Sequence, residues 1–379
     1  MPLRGLPSLA LCAVVSCGGD KPALGPDGAP PADGPADTLG ADATADAQAP
    51  RRLLAIAPSP REQPPPVTSQ DLIDAINLAY DAGCRGMGLS YNWSRLEPSA
   101  GNYQLTDLAN GVGYLGDQRG FDMLLTIQVL NTTAKETPAD LQSVPFDSPQ
   151  MRARFHALLS AIGAYLGNAH ILYLSIGNEV DVYLSAHPGE GGPYKSFYDD
   201  GVAFVHQMFP RVKVGVTSTF DGAGGGAAAA VALLNQSSDV YVLTYYPLGA
   251  QFMPRPPQTA TTDIAQMVQL AAGRPLILQE VGYPASPILG SSEQAQADFV
   301  TAVYAAWQSA GPTAIPFLDF FLMHDLTAAQ CDTLAMYYGL PNNANFKAYL
   351  CSLGLRNVDG TPKLGWQAFT AGAAAAGFP

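Results

Sequence analysis

The sequence predicts an α/β protein, a single (β/α)8 TIM barrel preceded by a signal peptide and a disordered linker. Three observations predict it. From Arg52 onward, short apolar runs alternate with helical patterns eight times. Most runs are continuously hydrophobic rather than alternating, as strands covered on both faces of a parallel sheet must be. Eight such units over roughly 270 residues match the usual size of this barrel, about 250 residues. A doubly wound open sheet is the competitor, and it carries a glycine-rich phosphate loop after an early strand. The nearest segment here, Asp221 to Gly226, follows the fifth run and has no Lys-Ser/Thr after it, so it reads as a flexible loop.

Taken in order, residues 1–17 read as an export signal: Arg4 gives a positive start, and Leu9 to Val15 form an apolar run too short to span a bilayer. Val14-Val15-Ser16-Cys17-Gly18 resembles a bacterial lipoprotein cleavage box, with Cys17 the lipidated residue; the alternative is an ordinary secretory signal cut nearby, which would leave the protein secreted. Residues 18–51 are rich in Gly, Pro, Ala and Asp and cannot bury enough surface to offset their ordering entropy, so they read as a disordered tether. Residues 52–379 form the catalytic-domain candidate.

The apolar runs are Leu53–Pro58, Arg85–Trp93, Asp122–Leu130, Ile171–Val180, Val212–Thr219, Val240–Leu248, Pro275–Tyr283 and Ala314–His324. Between them, Leu72, Ile73, Ile76 and Ala79 share a helix face after Thr68-Ser69-Gln70-Asp71, a capping box. Ala295, Phe299, Val303 and Trp307 do the same after Ser291-Ser292-Glu293-Gln294, and Leu158, Leu159, Ile162, Tyr165 and Leu166 mark the helix before the fourth run.

Composition narrows the function. Of 379 residues 47% are apolar, which supports a full core, and the net charge is −13. That balance argues against nucleic acid, whose phosphates call for Lys and Arg. No Cys/His spacing suggests a metal, no cofactor motif occurs, and a monomer is expected. Export would let Cys331 and Cys351 close a loop near the C-terminus, leaving Cys84 a buried thiol.

Two glutamates end apolar runs: Glu179 in Ile-Gly-Asn-Glu-Val-Asp and Glu280 in Leu-Gln-Glu-Val-Gly-Tyr. Burying a carboxylate is costly unless it is paired or hydrogen-bonded. Two at the ends of the fourth and seventh strands would face each other across a barrel mouth, and paired carboxylates are what glycosidic bond cleavage requires.

Four stretches resemble glycoside hydrolase clan A, retaining (β/α)8 enzymes. They are Ser175-Ile176-Gly177-Asn178-Glu179; Gln279-Glu280-Val281-Gly282-Tyr283; Trp93 to Pro98 with Gly101 and Tyr103; and Gly354-Leu355 through Asp359-Gly360-Thr361-Pro362-Lys363. Parts are similar to endo-β-1,4-galactanases, β-mannanases and endoglucanases. The resemblance implies Glu179 as general acid/base, Glu280 as nucleophile and Asn178 as partner of the sugar 2-hydroxyl. It implies that Tyr245 or Tyr246 donates to Glu280; strand alternation allows one, and Tyr245 is favoured. Two departures stand out. Gln128 and Asn131 occur where members often have His, and Phe317 to Phe321 replace a strand-eight Trp, leaving Phe320 as the platform under the sugar.

Further candidates are Asn92 as a mouth-facing hydrogen-bonder, Trp93 as sugar platform or core aromatic, and Tyr91 and Tyr283 as subsite walls. Asp181 and Glu97 read as structural acids, and His324 as a site-lining or packing residue. The expected function is retaining hydrolysis of β-linked oligo- or polysaccharide by an exported lipoprotein whose membrane contact is an N-terminal lipid anchor. The alternatives are a catalytically silent glycan-binding lipoprotein and a transglycosylase acting on envelope glycan.

Overall fold

The computed structural model describes residues 52–378. The expected signal peptide, Cys17 lipidation site and linker lie outside these residues. Among the described residues ten strands occur: β1 (Leu53–Ile56), β2 (Gly86–Asn92), β3 (Asp122–Asn131), β4 (Ala134–Lys135), β5 (Ile171–Asn178), β6 (Lys213–Gly215), β7 (Thr217–Thr219), β8 (Tyr241–Tyr245), β9 (Leu276–Val281) and β10 (Phe317–Phe320). They form two parallel sheets, β1-β10-β9-β8-β7 and β2-β3-β5-β6, with the short β4 antiparallel on β3. The fifth apolar run is therefore split, at Val216, into the edge strands of the two sheets. At the other edges, the Arg85 N–H donates to the Leu54 carbonyl at 3.0 Å. Each long strand is followed by helix, giving an α/β architecture with helices outside the sheets.

Sequence explains the helices locally. Thr68 Oγ1 accepts from the Asp71 N–H at 3.3 Å while Asp71 Oδ2 accepts from the Thr68 N–H at 2.9 Å, so the capping box starts the helix Ser69–Asp81. Ser292 caps the helix Glu293–Ala310 through the Ala295 N–H. That helix buries Phe299, Val303, Tyr304 and Trp307, with Tyr304 against Phe320 and Phe369 of the C-terminal helix Leu364–Ala375.

Alternation along the strands sorts the interior. Leu53, Ala55, Leu124, Val240, Val242, Ile277 and Phe317 from both sheets form an apolar floor between them. Toward the C-terminal strand ends the inward positions turn polar: Thr126, Ser175, Thr217 and Gln279 are buried and joined by hydrogen bonds. An apolar floor excludes water and makes each polar group above it depend on a protein partner or a ligand.

After β10 the chain builds a second cluster, including Phe321, Leu326, Tyr338, Phe346 and Tyr349. Its helices Ala328–Tyr337 and Ala344–Leu350 are joined by a disulfide between Cys331 and Cys351, whose Cα atoms lie 5.9 Å apart. Cys84 is a buried free thiol.

Candidate active site

Glu179 and Glu280 reach one site through three strands. Glu179 follows β5 in a left-handed conformation, φ 46° and ψ 44°, which costs a non-glycine residue roughly 1–2 kcal/mol. The turn that delivers it needs glycine two residues earlier, because a Cβ at Gly177 would lie 2.3 Å from Tyr194 Oη and 2.5 Å from Val180 Cγ1. Glu280 lies in β9, where Leu278 pairs with Leu243 but Glu280 pairs with Thr244. The extra residue, Gln279, is a bulge, and bulges re-aim side chains beside functional sites.

Two contacts bring the carboxylates together. Gln279 Nε2 donates to Asn178 Oδ1 at 2.8 Å, tying the residues that immediately precede each glutamate. Thr244, the ladder partner of Glu280, donates through Oγ1 to Glu179 Oε1 at 2.5 Å. Thr244 therefore stands next to Glu280 in the sheet, about 4.8 Å away across the strands, while its hydroxyl reaches the Glu179 carboxylate. Thr132 Oγ1 also donates to Glu179 Oε2 at 3.1 Å.

Both acids are out of water, Glu179 at 0% exposure and Glu280 at 5%. Burial, and then the charge of Glu179, push the Glu280 carboxyl well above its ordinary range, while the Tyr246 hydroxyl, donating to Oε2 at 2.8 Å, opposes the shift. A like charge nearby thus adds to the burial penalty on an ionised Glu280. Burial, first, and the neighbouring glutamates keep the hydroxyls of Tyr246, Tyr338 and Tyr349 protonated as donors.

The other expected residues separate into those at the site and those away from it. Tyr246, not the favoured Tyr245, touches Glu280. Tyr245 turns outward, with its hydroxyl on Asp263 at 2.8 Å and its ring among Phe220 and Phe299. Phe320 likewise packs outward on Tyr304 and Phe369, so it is no sugar platform. Its neighbour Phe321 lies edge-on to Tyr246 with centroids 6.3 Å apart. Trp93 is core: it starts a helical turn after β2, stacks on Phe197 at 6.3 Å, and donates from Nε1 to Glu97 at 2.9 Å.

Tyr283 stacks on Phe299 and donates to the Arg255 carbonyl, away from the carboxylates, and Tyr91 donates to the Asp107 carbonyl. Asn178 is buried between Asn131 and Gln279. Gln128, two residues past the inward Thr126 and the ladder partner of Asn92, is fully buried with no hydrogen-bond partner for either amide atom. Glu97 is held by Arg154 and the Gly101 N–H, and His324 by Ser59 and Arg356. Asp181 accepts from the Thr219 N–H and hydroxyl at 2.8 and 2.7 Å; burial pushes it up to about 6 against the pull of those bonds.

Sequence reasoning missed Thr244, Thr132, Tyr338 and Tyr349. Thr244 was readable as the residue beside Tyr245-Tyr246 at a strand end. The two capping tyrosines come from a segment with no strand-end signal. Among the described residues no group of three or more His, Cys, Asp or Glu side chains could hold a metal.

No family model and no curated protein sequence matches the chain. The fold it shares with solved structures is that of the clan A glycoside hydrolases. An exo-β-1,4-mannosidase from Opitutaceae bacterium strain TAV5 is 18% identical with a TM-score of 0.64, over 86% of this chain and 59% of that one. A GH5_18 variant from Bifidobacterium longum subsp. longum, in complex with Manβ1-4GlcNAc, is 15% identical with a TM-score of 0.64, over 86% and 78%. A family 39 glycoside hydrolase from Bacteroides cellulosilyticus WH2 is 14% identical with a TM-score of 0.56, over 86% and 64%. At these identities the likeness is one of fold.

Proposed function

We propose that the two sheets make one (β/α)8 barrel and that the protein is a retaining glycoside hydrolase acting on β-linked glycans. The observation that carries this reading is the pair of buried glutamates, with Thr244, the strand neighbour of Glu280, donating to Glu179 and Gln279 donating to Asn178. The reading calls for a gap of about 5–5.5 Å between the two carboxyl groups, since roughly 6.5–9.5 Å would mean inversion.

A Glu280 carboxylate oxygen attacks the anomeric carbon from below the ring. The bond from that carbon to the glycosidic oxygen breaks, its electron pair stays on that oxygen, and Glu179 supplies the proton. Water then enters. Glu179 takes one of its protons, its oxygen bonds the anomeric carbon, and the ester to Glu280 breaks, restoring both side chains with net retention. Tyr246 favours an ionised Glu280, and when Glu179 carries the proton one of the rotatable hydroxyls of Thr132 and Thr244 can accept it while the other keeps donating. In this reading Asn178, whose amide oxygen accepts from Gln279, is the partner of the sugar 2-hydroxyl. No step calls for a metal or organic cofactor. In this reading residues 52–379 are the catalytic unit, carried on a Cys17 lipid anchor by the linker.

The test replaces Glu280 with Gly and supplies azide with an activated aryl β-glycoside. A glycosyl azide of inverted configuration supports Glu280 as the nucleophile; unchanged hydrolysis by the variant removes it from the mechanism. The near-complete burial of both acids favours a second reading, a silent glycan binder. Glycan binding that survives Glu280→Gln, with no hydrolysis by the wild type, would select it.

A further inference from the structure

A relay of side-chain hydrogen bonds runs from a half-buried acid in the loop after β4 to the polar interior of the sheets. Glu136 Oε1 accepts from Tyr337 Oη at 2.7 Å. Tyr337 Oη accepts from Asn131 Nδ2 at 3.1 Å, and Asn131 Oδ1 accepts from Asn178 Nδ2 at 3.1 Å. Asn178 Oδ1 accepts from Gln279 Nε2 at 2.8 Å, and Gln279 Oε1 accepts from the hydroxyls of Thr217 and Thr126 at 2.7 and 3.1 Å. Asn178 and Gln279, both buried, are the residues that immediately precede Glu179 and Glu280.

The direction of this relay is chosen at one end. A hydroxyl donates or accepts, and an amide turned end for end exchanges donor for acceptor. Tyr337, Asn131, Asn178, Gln279 and the two threonines could therefore satisfy one another in either sense. A carboxylate only accepts. Glu136 makes Tyr337 donate to it, which leaves the Tyr337 oxygen to accept from Asn131, and each amide beyond follows in step. Glu136 is itself held by Ser94, whose hydroxyl donates to Oε2 at 3.3 Å and whose N–H donates to the Glu136 carbonyl at 2.8 Å. At Asn178 the oxygen is thereby committed to Gln279 and one Nδ2 hydrogen to Asn131, which leaves the second Nδ2 hydrogen to donate to a ligand.

We propose that Glu136, acting through Tyr337 and Asn131, is a positioning residue that fixes the Asn178 amide as a donor to the sugar 2-hydroxyl. This rests on the glycosidase reading, in which Asn178 is the partner of that hydroxyl, and adds the group that sets its polarity. With the relay reversed, the amide offers oxygen in place of nitrogen, and the sugar oxygen loses a donor whose bond strengthens in the transition state.

Activated aryl β-glycosides of mannose, glucose, galactose and xylose first report hydrolysis itself, and the best of them is then compared with its 2-deoxy analogue. Glu136→Gln keeps the size of the side chain and a bond to Tyr337 but can donate, so the relay is no longer held in one sense. Its kcat/KM on the parent glycoside should fall roughly 5- to 150-fold, the loss of one hydrogen bond to substrate, and should be unchanged on the 2-deoxy analogue. Tyr337→Phe breaks the same relay at a side chain that is 42% exposed, outside the core, and should show the same selective loss. Because both act through Asn178, Glu136→Gln should cost nothing further in an Asn178→Ala background, a comparison that needs no deoxy substrate. Full activity of either single variant on the parent glycoside overturns the proposal and leaves the glycosidase reading standing. So do equal losses on the two substrates, or a further loss in the Asn178→Ala background. No cleavage of any aryl glycoside by the wild type overturns both.

Discussion

Gln128 offers the sharpest separation of stability from activity. Its amide is fully buried, inward on β3, and neither Oε1 nor Nε2 has a partner. A buried polar group left unsatisfied costs roughly 1–3 kcal/mol, so the fold tolerates an amide it would be better without unless something binds it. Methionine has the same reach and no polar end. Gln128→Met should therefore raise unfolding stability by about 1–3 kcal/mol, read as a higher urea midpoint at unchanged slope. If the amide holds one or two sugar hydroxyls, the variant gives up about 1–3 kcal/mol of binding, or roughly 5- to 150-fold in kcat/KM. Gln128→Ala is the control: it removes the same amide but leaves a cavity, so it should lose activity without gaining stability. A methionine variant that is less stable than wild type with full activity would make Gln128 a packing residue. One that is more stable with full activity would make it a tolerated defect with no part in binding.

Two further variants test the electrostatics. Tyr246→Phe removes the hydroxyl that holds the Glu280 carboxyl down against burial, so the carboxyl moves further up and the acidic limb of kcat/KM shifts to higher pH; an unmoved limb would show that Glu280 does not set it. Asp181 is pushed from 3.8 to about 6, mainly by burial. A raised carboxyl pKa means that stability falls as pH rises from about 4 through about 6, by up to about 3 kcal/mol. Asp181→Asn keeps an acceptor for the Thr219 N–H and loses that dependence. Its stability relative to wild type should grow from pH 4 to pH 8, and parallel curves would refute the assignment.

How far the site was legible depended on what kind of signal each residue carried. Glu179 and Glu280 stood out because a charge ending an apolar strand is rare, and the chemistry of sugar cleavage follows from a pair of them. The Tyr245 and Phe320 assignments failed by one residue each. Both strands border β9, where the bulge at Gln279 shifts the register on both sides, between Leu243 and Thr244 and between Leu318 and Phe320. Simple alternation, counted along one strand, cannot register an extra residue in its neighbour. For Trp93 the sequence left platform and core both open; a helical turn begins at that residue and carries the ring into the layer of Phe155 and Phe197.

By itself, the sequence determined the order of strands and helices, two of the caps that start helices, the apolar runs that become strands and the two acids that end strands. These are local properties, written in periodicity and in the free energy of burying one residue type rather than another. Only the tertiary structure decided which tyrosine holds Glu280, that Thr244 beside Glu280 donates to Glu179, and that residues 321–363 form a second cluster after β10. Those depend on contacts between segments distant in the chain. Each such contact is set by register and by loop packing, which leave no periodic trace in the order of the amino acids.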